Sequence, residues 1–150
     1  MNKMSAQVRT TVIDIARKSG FPPVLKSDGS DEYVKNLMFR MPYSHHFLFV
    51  RKEGITTDSV GIPHYFQVVV HPEEFRPDLI EPTHSVHELV NRRTKQNLTP
   101  SSNYRGFPNF PGYKVPCGKG YRVDNFVALE RLFTSLAASL ESRSVKRAKT

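Results

Sequence analysis

The sequence has little from which a disulfide scaffold or a membrane anchor could be built. Among its 150 residues there is one cysteine, Cys117, and no tryptophan. A single cysteine excludes an internal disulfide framework and makes the cytoplasm the expected compartment. The apolar runs are only strand-sized, whereas a membrane-spanning helix needs about 20 apolar residues. The first residues lack the apolar stretch of a secretory signal peptide, so none is expected.

The remaining composition is that of a folded domain. Hydrophobic residues make up 38% and charged residues 24% of the chain, which separates it from disordered sequences, where apolar residues are scarce. Ten phenylalanines and six tyrosines provide enough large side chains to anchor a core. A chain of this length fits one domain, which we predict to cover residues 1–142.

Acidic residues are also missing from one long stretch of the chain. The net charge is +8, yet no Asp or Glu occurs between Asn91 and Val123, which we call the acid-free segment. The last eight residues, 143–150, hold four basic residues, no acid and little apolar surface. We predict that they form a basic, disordered tail. This asymmetry indicates a surface with one clearly positive region.

Hydrophobic patterning in the first half predicts one helix and three strands. Helical spacing covers residues 4–19, and Gly20 follows as a stop signal. Runs of apolar and β-branched residues predict strands at 37–41, 46–51 and 64–71, and their close succession favours an antiparallel meander. The third strand has apolar residues at consecutive positions, so we expect both of its faces to be covered.

The second half is predicted from capping and turn signals. Ser85 and Glu88 have the spacing of a capping box, which predicts a short helix over 84–91. A long loop rich in Asn, Ser, Gly and Pro then covers 92–118, and 120–123 is predicted as a fourth, short strand.

The final helix has the clearest pattern in the sequence. Asp124 is its expected N-cap. Apolar residues follow at spacings of three and four, namely Phe126, Leu129, Phe133, Leu136 and Leu140. The prediction is therefore a single-domain α+β protein in which an antiparallel sheet of three to four strands is flanked by the N-terminal and C-terminal helices.

The acid-free segment interleaves cations with aromatic side chains, a combination typical of nucleic-acid binding. Cations neutralise backbone phosphates, and aromatic rings stack on unpaired bases. The alternative is that the rings fold inward to pin a long loop and leave the cations in solvent. The residues predicted to contact nucleic acid are Arg92, Arg93, Lys95, Tyr104, Arg105, Tyr113, Lys114, Lys119 and Arg122.

Catalytic motifs are weak in this sequence. Residues 112–120 contain a Gly-Lys-Gly triplet but lack the spacing and the hydroxyl residue of a phosphate-binding P-loop. If the second and third strands are antiparallel, His46 approaches His71, and the two imidazoles could act as acid and base on a phosphodiester. Tyr43 and Arg51 complete this set of candidate catalytic residues. The histidine spacing matches no zinc motif, so neither a metal nor a cofactor is expected.

Three functional hypotheses follow. The leading one is a small basic nucleic-acid-associated binding protein that uses residues 91–123 and the basic tail. The second is an interaction or inhibitor protein, of the type made by phages and mobile elements, that docks on a partner's nucleic-acid site or on an acidic protein surface. The third is a small nuclease or toxin-like ribonuclease. We expect binding rather than catalysis, in the cytoplasm and away from membranes.

Overall fold

The computed structural model describes residues 3–25, 36–74, 85–91, 94–101, 104 and 107–148. It confirms a single α+β domain with a helix at each end of an antiparallel sheet, although the sheet has six strands rather than three or four. In chain order the elements are α1 (Ala6–Lys18), β1 (Asn36–Arg40), β2 (Phe47–Arg51), β3 (Phe66–Val70), a 3-10 turn (Pro72–Glu74), β4 (Val86–Glu88), β5 (Thr99–Pro100), β6 (Cys117–Val123) and α2 (Phe126–Ala148).

The first three strands form the expected meander. The strand order is β1-β2-β3-β6-β4, with β5 also paired to β6, and every pairing between these strands is antiparallel. In the register, Leu48 faces Val70 across β2 and β3, and Val70 faces Lys119 across β3 and β6. After β3 the chain forms β4 and β5 first, and β6 then takes the position between β3 and β4 and joins the two halves of the sheet.

The short helix predicted over 84–91 is wrong. Its described part, from Ser85 onward, contains strand β4 instead, and β4 pairs in register with the last three residues of β6. A helix of about two turns with a capping signal gains little without packing, because isolated short helices are marginal in water. The exposed edge of β6 offers backbone hydrogen bonds that the local signal could not reveal.

Helix α1 begins and ends where its local chemistry directs. The Ser5 hydroxyl accepts a hydrogen bond from the backbone N–H of Val8 at 3.2 Å, which caps the first turn. At the other end, Gly20 has a φ of 88°, the left-handed conformation that ends many helices. The face formed by Val8, Val12 and Ala16 is buried against the sheet.

Helix α2 starts one residue later than expected. Its N-cap is Asn125, whose side-chain oxygen accepts the backbone N–H of Ala128 at 2.8 Å. Asp124, the predicted cap, instead binds Arg122 and His87 through its carboxylate. Asn125, one residue further along the chain, satisfies a free N–H group of the first helical turn in its place.

Helix α2 also continues beyond the predicted end of the domain. Among the helix side chains whose burial the structure describes, up to residue 145, the last buried one is Leu140, but helical backbone extends to Ala148. The backbone of residues 143–148, within the predicted basic tail, is helical in the structure; 149 and 150 lie outside the described residues. Once the packed turns are formed, each further residue adds one backbone hydrogen bond, so a helix extends more readily than it nucleates.

The sheet buries both of its faces, and each face has its own core. The larger core packs α1 and α2 against side chains such as Phe39, Leu48 and Val68. The smaller one, which we call the second core, is formed by Met38, Phe49, Val69, Tyr104 and Phe107. Its last two members come from the acid-free segment, which folds across the second face and explains why β3 is apolar at consecutive positions.

The larger core makes a testable prediction about α2. Leu136 is 1% exposed, so Leu136→Ala should lower the free energy of unfolding by about 2–5 kcal/mol through lost burial and a residual cavity. Ser135→Ala is the matched control, because Ser135 is exposed on the same helix. Urea unfolding of both variants measures the difference; equal losses would show that the assigned buried face is incorrect.

Candidate functional site

The loop between β4 and β5 carries several of the predicted contact residues. From Val123 back to Gly118, β6 covers six residues, while the chain that faces it covers fourteen, from Val86 to Thr99. The facing chain is therefore eight residues longer, and the extra length leaves the sheet between β4 and β5, which otherwise pair with the same edge of β6 as one interrupted strand. We call residues 89–98 the basic loop.

The tip of the basic loop is closed by its own hydrogen bonds. The backbone N–H of Asn91 donates to the Gln96 carbonyl at 2.8 Å, and the Lys95 N–H donates to the Asn91 carbonyl at 2.8 Å. The Asn91 side-chain oxygen accepts the N–H of Thr94 at 3.2 Å. Lys95 has a φ of 61°, uncommon for a residue with a side chain, and is exposed. The tip is thus a defined turn that presents its lysine to solvent.

The base of the basic loop is tied to the middle of β6. Leu89 donates its backbone N–H to the Gly120 carbonyl at 2.9 Å, and Gly120 donates its own N–H to the Asn97 side-chain oxygen at 2.8 Å. The Asn97 amide nitrogen contacts the Glu88 carboxylate at 3.4 Å. Because Asn97 is buried, these bonds satisfy its polar atoms and hold both ends of the loop against the strand.

A groove of about 500 Å³ lies beside the basic loop. It brings together Lys95 from the loop and Lys119 from β6, two of the residues predicted to contact nucleic acid. The half-buried ring of Phe110 adds an apolar wall, and Glu88 is the one acid among the described lining residues. The full lining is Glu88, Val90, Lys95, Gln96, Asn97, Leu98, Phe110 and Lys119.

Two of the aromatic residues in the acid-free segment point inward rather than toward the groove. Tyr104 and Phe107 are 1% and 5% exposed, and their ring centroids lie 5.1 and 5.3 Å from that of Phe49. Burial raises the pKa of Tyr104 to about 12. Exposing a buried aromatic side chain costs about 1.5–3 kcal/mol. Stacking on a base gains roughly 1–3 kcal/mol, so leaving the second core to stack would gain nothing.

The Gly-Lys-Gly triplet has a packing explanation. A Cβ atom on Gly118 would meet Val69 Cγ1 and would lie 2.6 Å from Cε2 of Phe107. A Cβ on Gly120 would meet the Thr99 hydroxyl. Both glycines therefore allow the earlier part of the acid-free segment, at Thr99 and Phe107, to lie directly on β6. This supports the exclusion of a P-loop and leaves Lys119 as the part of the triplet that faces a groove.

The other predicted contact residues are dispersed. Lys114 is exposed, and Tyr113 is half-buried with its hydroxyl inside the protein. Arg122 pairs with Asp124 at 3.2 Å and lies over the Tyr65 ring at 5.7 Å. Since alternate strand residues point to opposite faces, Arg122 and Lys119 are on opposite sides of β6. Arg92, Arg93 and Arg105 lie outside the described residues.

His46 and His71 meet across β2 and β3. Their rings stack with centroids 3.6 Å apart and an interplanar angle of 19°. His46 Nε2 lies 3.2 Å from a carboxylate oxygen of Glu73, and His71 Nδ1 accepts the Glu73 backbone N–H at 3.0 Å. The edge-to-face contact between His71 and Phe107, with centroids 5.1 Å apart, places this buried imidazole at the end of the second core.

The histidine pair does not have the geometry of a phosphodiester-cleaving site. A general acid and a general base act on opposite sides of the phosphorus, whereas rings in van der Waals contact leave no room for a phosphate between them. His71 is also 3% exposed, which shields it from a polymeric substrate. We therefore interpret the stack as a packing feature that joins the ends of β2 and β3.

A metal ion fits the same cluster poorly. Donor atoms of His46, His71 and Glu73 lie within 4.8 Å of one another. A metal binds an imidazole nitrogen in the ring plane at ~2.0–2.1 Å, and two nearly parallel stacked rings cannot both direct an in-plane lone pair at one ion. In addition, the hydrogen bond accepted by Nδ1 leaves the ring proton of neutral His71 on Nε2, which removes that nitrogen as a ligand.

Tyr43 and Arg51 are separate from the histidine pair. Tyr43 is 59% exposed with a φ of 58°, and it lines a different groove beside Ser19 and Thr134. Arg51 is at the opposite end of β2 from His46, and its Nε donates to the Glu53 carbonyl at 2.9 Å. Five strand residues span roughly 17 Å, so the four candidate catalytic residues do not form one site.

The sequence analysis missed the residues that build the groove. Asn97, Glu88 and Phe110 were not predicted as site residues, because their roles arise from contacts with β6 and the basic loop rather than from a local motif. The carboxylate of Asp124, which joins His87 and Arg122 at 3.2 Å each, was likewise assigned to helix capping. None of these contacts has a short-range signal in the sequence.

Comparison of this chain with protein-family models, with curated proteins and with solved structures finds no match. In the part of the chain that the structure describes, neither helix is long and apolar enough to cross a membrane. The class that the fold and groove define is thus a basic α+β domain with a loop-bordered surface groove.

The second prediction concerns the contact between Phe107 and Gly118 of β6. Gly118→Ala should destabilise the protein by roughly 1–3 kcal/mol, because the added methyl group meets Val69 and Phe107 in a filled core. Combining it with Phe107→Leu should be less damaging than the sum of the two single changes, since a smaller side chain makes room. A double-mutant cycle from urea unfolding measures this; strict additivity would argue against the contact.

Proposed function

We propose that the protein binds nucleic acid through the basic loop and Lys119. The observation that carries this proposal is the convergence of Lys95 and Lys119 on one groove from separate parts of an acid-free segment. A net charge of +8 adds long-range attraction to any polyanion. Cations near phosphates release condensed counterions, which is the main source of affinity in sequence-independent binding.

The described contacts favour binding over catalysis. The groove has cations, amides and an apolar wall but no histidine among its described lining residues, and the stacked histidine pair offers no access for a phosphodiester. A cytoplasmic location, expected from the lone cysteine, is part of the proposal. The same cations would also attract carboxylates, so an acidic protein surface is the competing partner that a binding experiment must distinguish.

The third prediction tests the two groove lysines. Lys95→Gln combined with Lys119→Gln should weaken binding to short nucleic acids and reduce the slope of log K against log salt, by about 0.9 per lost contact on duplex. Fluorescence anisotropy at low and moderate salt measures both quantities. The matched control is Arg17→Gln combined with Lys18→Gln, which removes the same charge from exposed positions at the end of α1.

Two outcomes would contradict this proposal. If the unmodified protein binds neither DNA nor RNA at low salt, nucleic acid is not its partner. If both double variants lose affinity equally, net charge alone attracts the nucleic acid and the groove does not. An acidic partner would instead predict binding to poly-glutamate that the groove lysines control.

The fourth prediction concerns the acid at the rim of the groove. Glu88→Gln should raise nucleic-acid affinity at low salt by up to about fivefold, because exposed charges of this kind interact by ~0.2–1 kcal/mol. A glutamine oxygen can still accept the hydrogen bond from Asn97. Glu130→Gln on the exposed side of α2 removes the same charge away from the groove and serves as the control in the same titration. Equal gains in both variants would contradict a local effect.

A further inference from the structure

The acid-free segment divides its side chains between two tasks. Tyr104, Phe107 and Tyr121 are 1%, 5% and 2% exposed, so their ring faces are inside the protein. Lys95 and Lys114 are exposed, and Lys119 borders the groove. Single-strand binding proteins gain affinity by stacking successive bases on exposed aromatic faces. Three of the five aromatic residues in this segment cannot contribute such contacts as the protein is folded.

These buried rings are held from several directions. Phe107 contacts Phe49, Tyr104 and His71 with ring centroids 5.1–5.6 Å apart. It also lies over Gly118, at a distance that only glycine allows. Withdrawing the ring to meet a base would open a gap between the segment and β6. These three buried rings therefore hold the segment in place and are not available to stack on bases.

The backbone that carries Lys95 is also held by hydrogen bonds. Lys95 is at the closed tip of the basic loop, in a turn set by the hydrogen bonds of Asn91. The loop base is bonded to Gly120 of β6, next to Lys119. Two lysines on backbone that is held in this way suit a partner whose phosphates are regularly spaced and dense. Duplex nucleic acid has one charge per ~1.7 Å of helix axis, denser than a single strand.

We infer that the basic loop and Lys119 recognise the sugar–phosphate backbone of duplex nucleic acid and do not stack on unpaired bases. This inference rests on the proposed function, because it specifies which form of nucleic acid the groove binds. Backbone contacts carry no base information, so binding is independent of sequence. As the salt concentration is lowered, the affinity for duplex also increases more steeply than the affinity for single strands.

The experiment compares three labelled probes with the unmodified full chain. They are a short duplex, one of its strands alone, and that strand with abasic sugars in place of its central bases. Anisotropy titrations at about 50 and 200 mM salt give affinity and salt dependence. We expect the duplex to bind more tightly than the single strand at both concentrations. Removal of the bases should leave single-strand affinity unchanged, since only the phosphates are contacted.

The outcomes separate this inference from the proposed function. Tighter binding of the single strand, or a clear loss of affinity for the abasic strand, would overturn the inference and leave nucleic-acid binding intact. A second duplex of different base composition should bind within about twofold, and a strong preference between the two would overturn backbone recognition. Absence of binding to all probes at low salt would overturn both the inference and the proposed function.

Discussion

The pairing of β6 on both of its edges is the constraint on which the rest of the structure depends. On one side it pairs with β3 over five residues, which joins the N-terminal meander to the C-terminal half of the chain. On the other side it pairs with β4 and β5. A central strand must satisfy backbone donors and acceptors along both edges. The interruption between β4 and β5 is what allows the basic loop to leave the sheet without leaving β6 unpaired.

The two faces of β6 explain why its sequence contains small residues and a lysine side by side. Gly118 and Gly120 lie under the earlier part of the acid-free segment, where a larger side chain would collide with Phe107 or Thr99. Lys119 points to the other face, where the groove begins. Successive residues of a strand point to opposite faces. This alternation places the two glycines under the earlier part of the acid-free segment and Lys119 at the groove.

The histidines illustrate how proximity differs from a functional arrangement. His46 and His71 are neighbours because β2 and β3 are antiparallel, and a carboxylate is next to them. However, the two rings are stacked on each other, and His71 Nδ1 accepts a backbone hydrogen bond. These contacts stabilise the fold and do not arrange the imidazoles for acid–base catalysis. The basic loop has the opposite character: its backbone is closed by hydrogen bonds while its described lysine side chain points to solvent. That contrast is why we propose binding rather than catalysis.

The sequence by itself determined the elements that have a local signal. Helix α1, the three-strand meander and the apolar stripe of α2 follow from periodicity and capping, and the charge pattern depends on composition alone. Tertiary structure decided what is made by long-range pairing. The edge of β6 turned a predicted helix into β4, Asp124 contacts His87 of β4 while Asn125 caps α2, and Tyr104 was buried in the second core. Local patterns cannot encode these outcomes, because the free energy of each comes from a partner that is distant in the chain.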